Sequence, residues 1–199
     1  MNFFDRLAAA ITPDASEEDR VRARSEALAM TSDDDWLAQV LDQHQQIETL
    51  FVEAKLAEPG DDRLMAMKTL AQMLSAHSMA EEVVLYPALA RIGEKGDATM
   101  AYEEQSMAKV EMAALEQLDP ESDEWVEKLE TIRKAVAHHV YEEESEWFPK
   151  LHRTTSETEA EMLSMRFEEE FDRHGDLAMG RPVGGMDLPH GQPTGRHNL

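Results

Sequence analysis

The sequence predicts an all-α protein built around an antiparallel four-helix bundle, and three observations carry that prediction. Apolar residues recur at steps of three and four along four long stretches. No stretch alternates apolar and polar residues with the period of a strand. Proline, glycine and aspartate clusters divide the stretches by short connections, and long helices so joined fold as up-and-down neighbours. Additional N-terminal helices, a C-terminal helix and a disordered tail complete the expected architecture.

Residues 2–11 read as a short amphipathic helix ended by Thr12-Pro13. Ser16 followed by Glu17, Glu18 and Asp19 marks a capped start, with acids against the positive helix end, for a helix reaching about Met30. Ser32 with Asp33, Asp34 and Asp35 opens the next, which runs to about Ala57 before Glu58-Pro59-Gly60 breaks it. A long helix follows from Asp61 to about Ile92, kinked late by Pro87. Asp97 to about Leu118 forms another, and Ser122 to about His152 the last of the four, with Pro149 again near its end. Thr155 to Arg173 reads as a sixth helix with a thin stripe of Leu163, Phe167 and Phe171, expected to pack outside the bundle. The chain beyond Gly175 is rich in Gly and Pro and reads as disordered. These boundaries give an N-terminal helical extension (1–31), the bundle (32–153), an accessory helix (154–175) and a flexible tail (176–199).

Composition narrows the chemistry. Among 199 residues, 42 acidic side chains face 19 basic ones, a net charge of -23, so no basic stripe exists to engage nucleic-acid phosphates. The chain has no cysteine, which excludes disulfides, thiolate metal sites and iron–sulfur clusters. Any metal is therefore held by nitrogen and oxygen, a donor set that suits iron, manganese or zinc. No membrane partner is expected, because no run approaches the ~20 apolar residues needed to span a bilayer. MNFFDRLAAAI lacks the charge and apolar pattern of a secretory signal, so the expected location is the cytoplasm.

Two related segments stand out: HSMAEEVVLYP at 77–87 and HVYEEESEWFP at 139–149. Each sets a histidine and a glutamate four residues apart, His77 with Glu81 and His139 with Glu143, then an aromatic and a proline at matching offsets. Side chains four residues apart share a helix face, so one helix can offer a cation two ligands. The stripe Met67, Leu70, Leu74, His77, Glu81, Val84, Ala88 places the first pair in the core seam. Leu129, Ile132, Val136, His139, Glu143, Trp147, Leu151 does the same for the second. His44 falls in the stripe Leu37, Val40, His44, Ile47, Phe51, and Gln105 in Ala101, Gln105, Ala108, Met112. Burying even an amide without partners costs ~1–3 kcal/mol, and a carboxylate more. Polar groups converging from four helices therefore require neutralisation, which a pair of divalent cations supplies. Neither the Glu-x-x-His pairs of one common di-metal bundle nor the His-Glu-x-x-His of zinc peptidases is present.

These motifs resemble the hemerythrin-like family, also called the HHE cation-binding domain. DQHQQIETLF (42–51) is similar to its first-helix motif, HSMAEEVVLYP to its second and HHVYEEESEWFP (138–149) to its fourth, over about residues 33–152. The resemblance implies a four-helix bundle around a non-haem di-iron site that binds dioxygen, nitric oxide or peroxide, or senses iron. It implies His44, His77, Glu81, His139 and Glu143 as metal ligands, with the two glutamates as bridges. The family also places a ligand histidine on the third helix, where this chain has Glu104-Gln105. Gln105 is thus a weak ligand or a hydrogen-bond partner of a metal-bound water. Glu48, four residues after His44, is a further candidate ligand, although Ile47 fits the seam better. Glu104 and Glu111 are weaker candidates, and His138 is expected to flank the site. Glu82, Glu142 and Glu144 read as solvated acids or acceptors for a ligand imidazole. Tyr86, Tyr102 and Tyr141 are expected to pack, with hydrogen bonding near the site as the alternative. Two other function classes remain open: an enzyme consuming peroxide or nitric oxide, and an interaction or signalling bundle with a structural or degenerate metal site and a protein partner.

Overall fold

The computed structural model describes residues 15–32 and 35–178. The helix expected over 2–11 and the tail from 179 onward lie outside the described residues. Those described are helical, with no strand among them. α1 (Glu17–Leu28) is started by Ser16, whose hydroxyl accepts from the Asp19 backbone while the Asp19 carboxylate takes the Ser16 N–H. α2 (Trp36–Leu56) begins at Asp35 rather than Ser32, because the Asp35 carboxylate accepts from the Leu37 N–H.

The next rod runs through α3 (Asp61–Ala80), a π turn (Glu81–Leu85) and α4 (Tyr86–Arg91). α5 spans Lys95–Leu115. The fourth rod repeats the second: α6 (Asp123–Glu142), a π turn (Glu143–Trp147) and α7 (Phe148–Thr154). The expected proline kinks are these two wide turns. In each, the residue before the proline reaches back five positions, Tyr86 N–H to the Glu81 carbonyl and Phe148 N–H to that of Glu143. A wide turn spares the ring a clash with the preceding carbonyls. The Glu82 carbonyl accepts instead from the Tyr102 hydroxyl at 2.6 Å.

α8 (Glu157–Ala178) lies along one side of the bundle, against α2, α3 and the first π turn. Its stripe buries Leu163 and Phe167 against the core. Three large side chains suffice to anchor a thin stripe. α1 packs on α2, α6 and the second π turn.

The bundle core is divided in two. Trp36, Leu37, Val40, Leu85, Leu89, Phe148 and Phe167 belong to one apolar cluster, and Ile47, Phe51, Leu70, Leu115, Trp125 and Leu129 to the other. Between them every rod of the bundle contributes buried polar side chains: His44; His77 and Glu81; Gln105; His139 and Glu143.

Candidate metal centre

Three imidazoles and two carboxylates face one another in this layer. His44 comes from the middle of α2, His77 and His139 from the last turns of α3 and α6. Glu81 and Glu143 each open a π turn, one turn beyond their histidines. His44 Nε2 lies 3.3 Å from Glu143 Oε2 and 3.7 Å from Glu81 Oε1, and His77 Nε2 is 3.3 Å from the same Glu81 oxygen. On the other side His139 Nε2 is 3.3 Å from Glu143 Oε1. The two carboxylates thus present one oxygen to each side of the layer.

Outside that ring each imidazole is held by its other nitrogen. His44 Nδ1 donates to Glu144 at 2.9 Å, His77 Nδ1 to Gln43 Oε1 at 2.9 Å, and His139 Nδ1 to Glu104 at 2.8 Å. These acceptors engage Nδ1 and aim Nε2 inward, the arrangement that orients a metal-ligating imidazole. Arg24 of α1 clamps Glu144, its Nε 2.9 Å from one carboxylate oxygen, and donates to Gln45 at 2.8 Å.

The donor set fits a cation on two counts. His44 Nε2, Glu81 Oε1, Glu143 Oε2 and Gln105 Oε1 are all buried without a hydrogen-bond partner, which is costly unless something between them satisfies them. Two trios of donor atoms, His44-His77-Glu81 and Glu81-His139-Glu143, also come within 4.8 Å of one another and share Glu81. A third trio, Glu104, His138 and Glu142, is partly exposed and borders the centre.

Charge in the layer is strongly redistributed. Burial opposes charge on His44, but the surrounding carboxylates of Glu143, Glu144 and Glu81 outweigh it and hold the imidazole well above its ordinary range. His139 behaves likewise, burial being overcome by Glu143 and Glu104. His77 moves the other way, pushed well down by burial and by the neighbouring His44 charge. Burial and the Glu143 charge raise Glu81 to about 7, whereas His139 and His44 outweigh burial at Glu143 and hold it below the usual carboxylate range. With no cation present the layer thus stores protons beside its negative charges.

The remaining candidates divide. Gln105 is buried at the centre, but its amide nitrogen donates to Glu81 Oε2 at 2.5 Å and to the Tyr86 oxygen at 2.5 Å. Glu48 is not brought to the centre. It sits at the rim on Arg133, 2.8 Å away, because Ile47 takes the inward position of that turn. Tyr86 takes the hydrogen-bonding alternative over packing alone: its hydroxyl lies inside the layer, 2.9 Å from Glu143, 3.2 Å from Glu81 and 3.2 Å from His139. Gln43 and Arg24 carried no signal in the sequence, since their roles depend on a partner from another helix.

A family model described as Hemerythrin HHE cation binding domain matches residues 35–151, which contain every donor named above except Arg24. A curated protein of Nostoc sp. named "DNA nickase" is 26% identical over 125 residues. The match covers 63% of this chain and 36% of that protein, so the chain spans about a third of that relative. No solved structure matches. With the family model covering more than half of the chain, and a buried histidine–glutamate layer whose donor atoms suit a cation, the chain belongs to the hemerythrin HHE cation-binding family.

Proposed function

We propose that this layer is a non-haem di-iron centre that binds a small oxidant or nitrogen oxide: dioxygen, nitric oxide or peroxide. His44 and His77 hold one ion and His139 the other, and Glu81 and Glu143 lie between them. Manganese or zinc suits the same nitrogen and oxygen donors, which makes iron the part of the proposal most directly open to test. Iron, when bound, supplies a Lewis-acidic, redox-active atom able to take up such a ligand.

The observation that carries the reading is the set of orphaned inward atoms beside a small cavity. That cavity, about 30 Å³, is lined by His77, Gln105 and His139 on the polar side and by Ile47, Leu74 and Val136 on the other. The volume exceeds the ~10–15 Å³ that one water needs and so admits a small molecule. The Gln105 amide offers a polar contact at the rim.

Glu144, Gln43 and Glu104 hold the imidazoles in place. We propose no nucleic-acid partner for this chain, despite the name of its relative, because its net charge of -23 opposes phosphate contacts. No described helix is long and apolar enough to cross a membrane. A cytoplasmic location belongs to the same proposal and rests on the sequence reading alone.

Metal analysis of protein produced with ample iron, followed by absorption spectra with and without azide, tests this reading. The expected result is bound iron and near-ultraviolet bands that azide shifts. Protein carrying no iron under those conditions would overturn it.

A further inference from the structure

The two halves of the layer are unequally furnished. Two imidazoles, His44 and His77, serve one side, whereas His139 alone serves the other. The Gln105 amide turns its nitrogen, not its oxygen, toward Glu81 and Tyr86. What does occupy that side is the fully buried hydroxyl of Tyr86.

We propose that the Tyr86 phenol oxygen is a ligand to the cation on the His139 side of the layer. The inference rests on the metal centre proposed above and adds a donor to it. Tyr86 Oη lies 2.9 Å from Glu143 Oε1, 3.2 Å from Glu81 Oε2 and 3.2 Å from His139 Nε2. Donors bound at ~2.1 Å to one cation at right angles stand ~3 Å apart, a separation these three contacts match. All three neighbours are the donors that side offers.

The two motifs supply a second argument. Tyr86 follows Glu81 by five residues, and Phe148 follows Glu143 by five, each immediately beyond a π turn. Phe148 turns to the apolar cluster and meets Trp36 edge-on, with ring centroids 5.7 Å apart. The wide turn and its proline therefore need an aromatic ring at this offset but no hydroxyl. The hydroxyl is present only on the copy whose ring reaches the layer. Tyr102 holds that ring in place, edge-on at 5.1 Å, while its own hydroxyl is engaged by the Glu82 carbonyl.

Ligation breaks the Oη–H bond and forms an Oη–metal bond. The proton leaves to solvent and no electron is transferred.

The test loads the full chain with ferrous iron alone, oxidises it in air and measures iron content, visible absorption and resonance Raman scattering. A ferric–phenolate pair absorbs in the visible, where carboxylate and imidazole ligands contribute little. Enhanced phenolate ring modes are therefore expected in the wild type, and they should shift when tyrosine is ring-deuterated. Tyr86→Phe should abolish the band and lower iron from about two ions per chain toward about one. Tyr102→Phe should keep the band.

Iron-loaded wild type without phenolate modes, or Tyr86→Phe with an unaltered band and iron content, overturns the assignment of Tyr86 while leaving the iron centre standing. Wild type that takes up no iron overturns the centre and the assignment together. The Raman measurement on wild type decides the matter even if the variant folds poorly.

Discussion

Each imidazole of the centre is turned inward by a different acceptor, and the acceptors differ in strength. Glu144 is the most elaborated, being buried and clamped by Arg24 from a helix outside the bundle. Glu144→Ala should release the His44 ring and weaken metal binding by about 10–100-fold, read by competition titration, with little change in the far-ultraviolet spectrum. The protons of the layer set the pH dependence. His44 and His139 keep theirs well above the ordinary imidazole range, and Glu81 titrates at about 7. A cation must displace these protons, so binding releases them. Affinity should rise with pH by about tenfold per unit for each proton displaced, and fall on acidification. Titrations on either side of the Glu81 value, with proton release followed in weak buffer, check the sign.

At the scale of elements, periodicity and capping located the rods. Ser16 starts α1, and the stripes through His44, His77, Gln105 and His139 identify the inward faces. The π turns were not legible, because a one-residue widening leaves no mark on a pattern read at 3.6 residues per turn. Phe167 of α8 is fully buried against the apolar cluster that includes Trp36 and Phe148. Phe167→Ala should therefore cost about 3–5 kcal/mol of stability, measured as a lowered denaturant midpoint, where a loosely attached helix would show little effect.

For the whole molecule, the polar layer sets stability against function. A core split by three imidazoles, two carboxylates and an amide forgoes apolar packing at its middle and retains unpartnered donor atoms. A bound cation repairs this. At a cation concentration ~1,000 times the dissociation constant it adds about 4 kcal/mol, which raises the melting temperature of a chain this size by roughly 10 °C. Chelation should reverse that gain in a thermal melt, and His44→Ala should remove the response to added metal.

The sequence by itself determined the helices, their inward faces and the burial of His44, His77, Glu81, His139 and Glu143 on those faces. Each of these is written in the spacing of residues along a single helix, and burial of the wrong type of side chain shows up one chain segment at a time. Only the tertiary structure decided which side chains meet across helices. Gln43, Glu104 and Glu144 behind the imidazoles, Arg24 behind Glu144, Arg133 drawing Glu48 away and Tyr86 inside the layer all depend on distances between elements far apart in the chain. Such distances are set by how rods pack and where a turn widens, and no spacing within one rod encodes them.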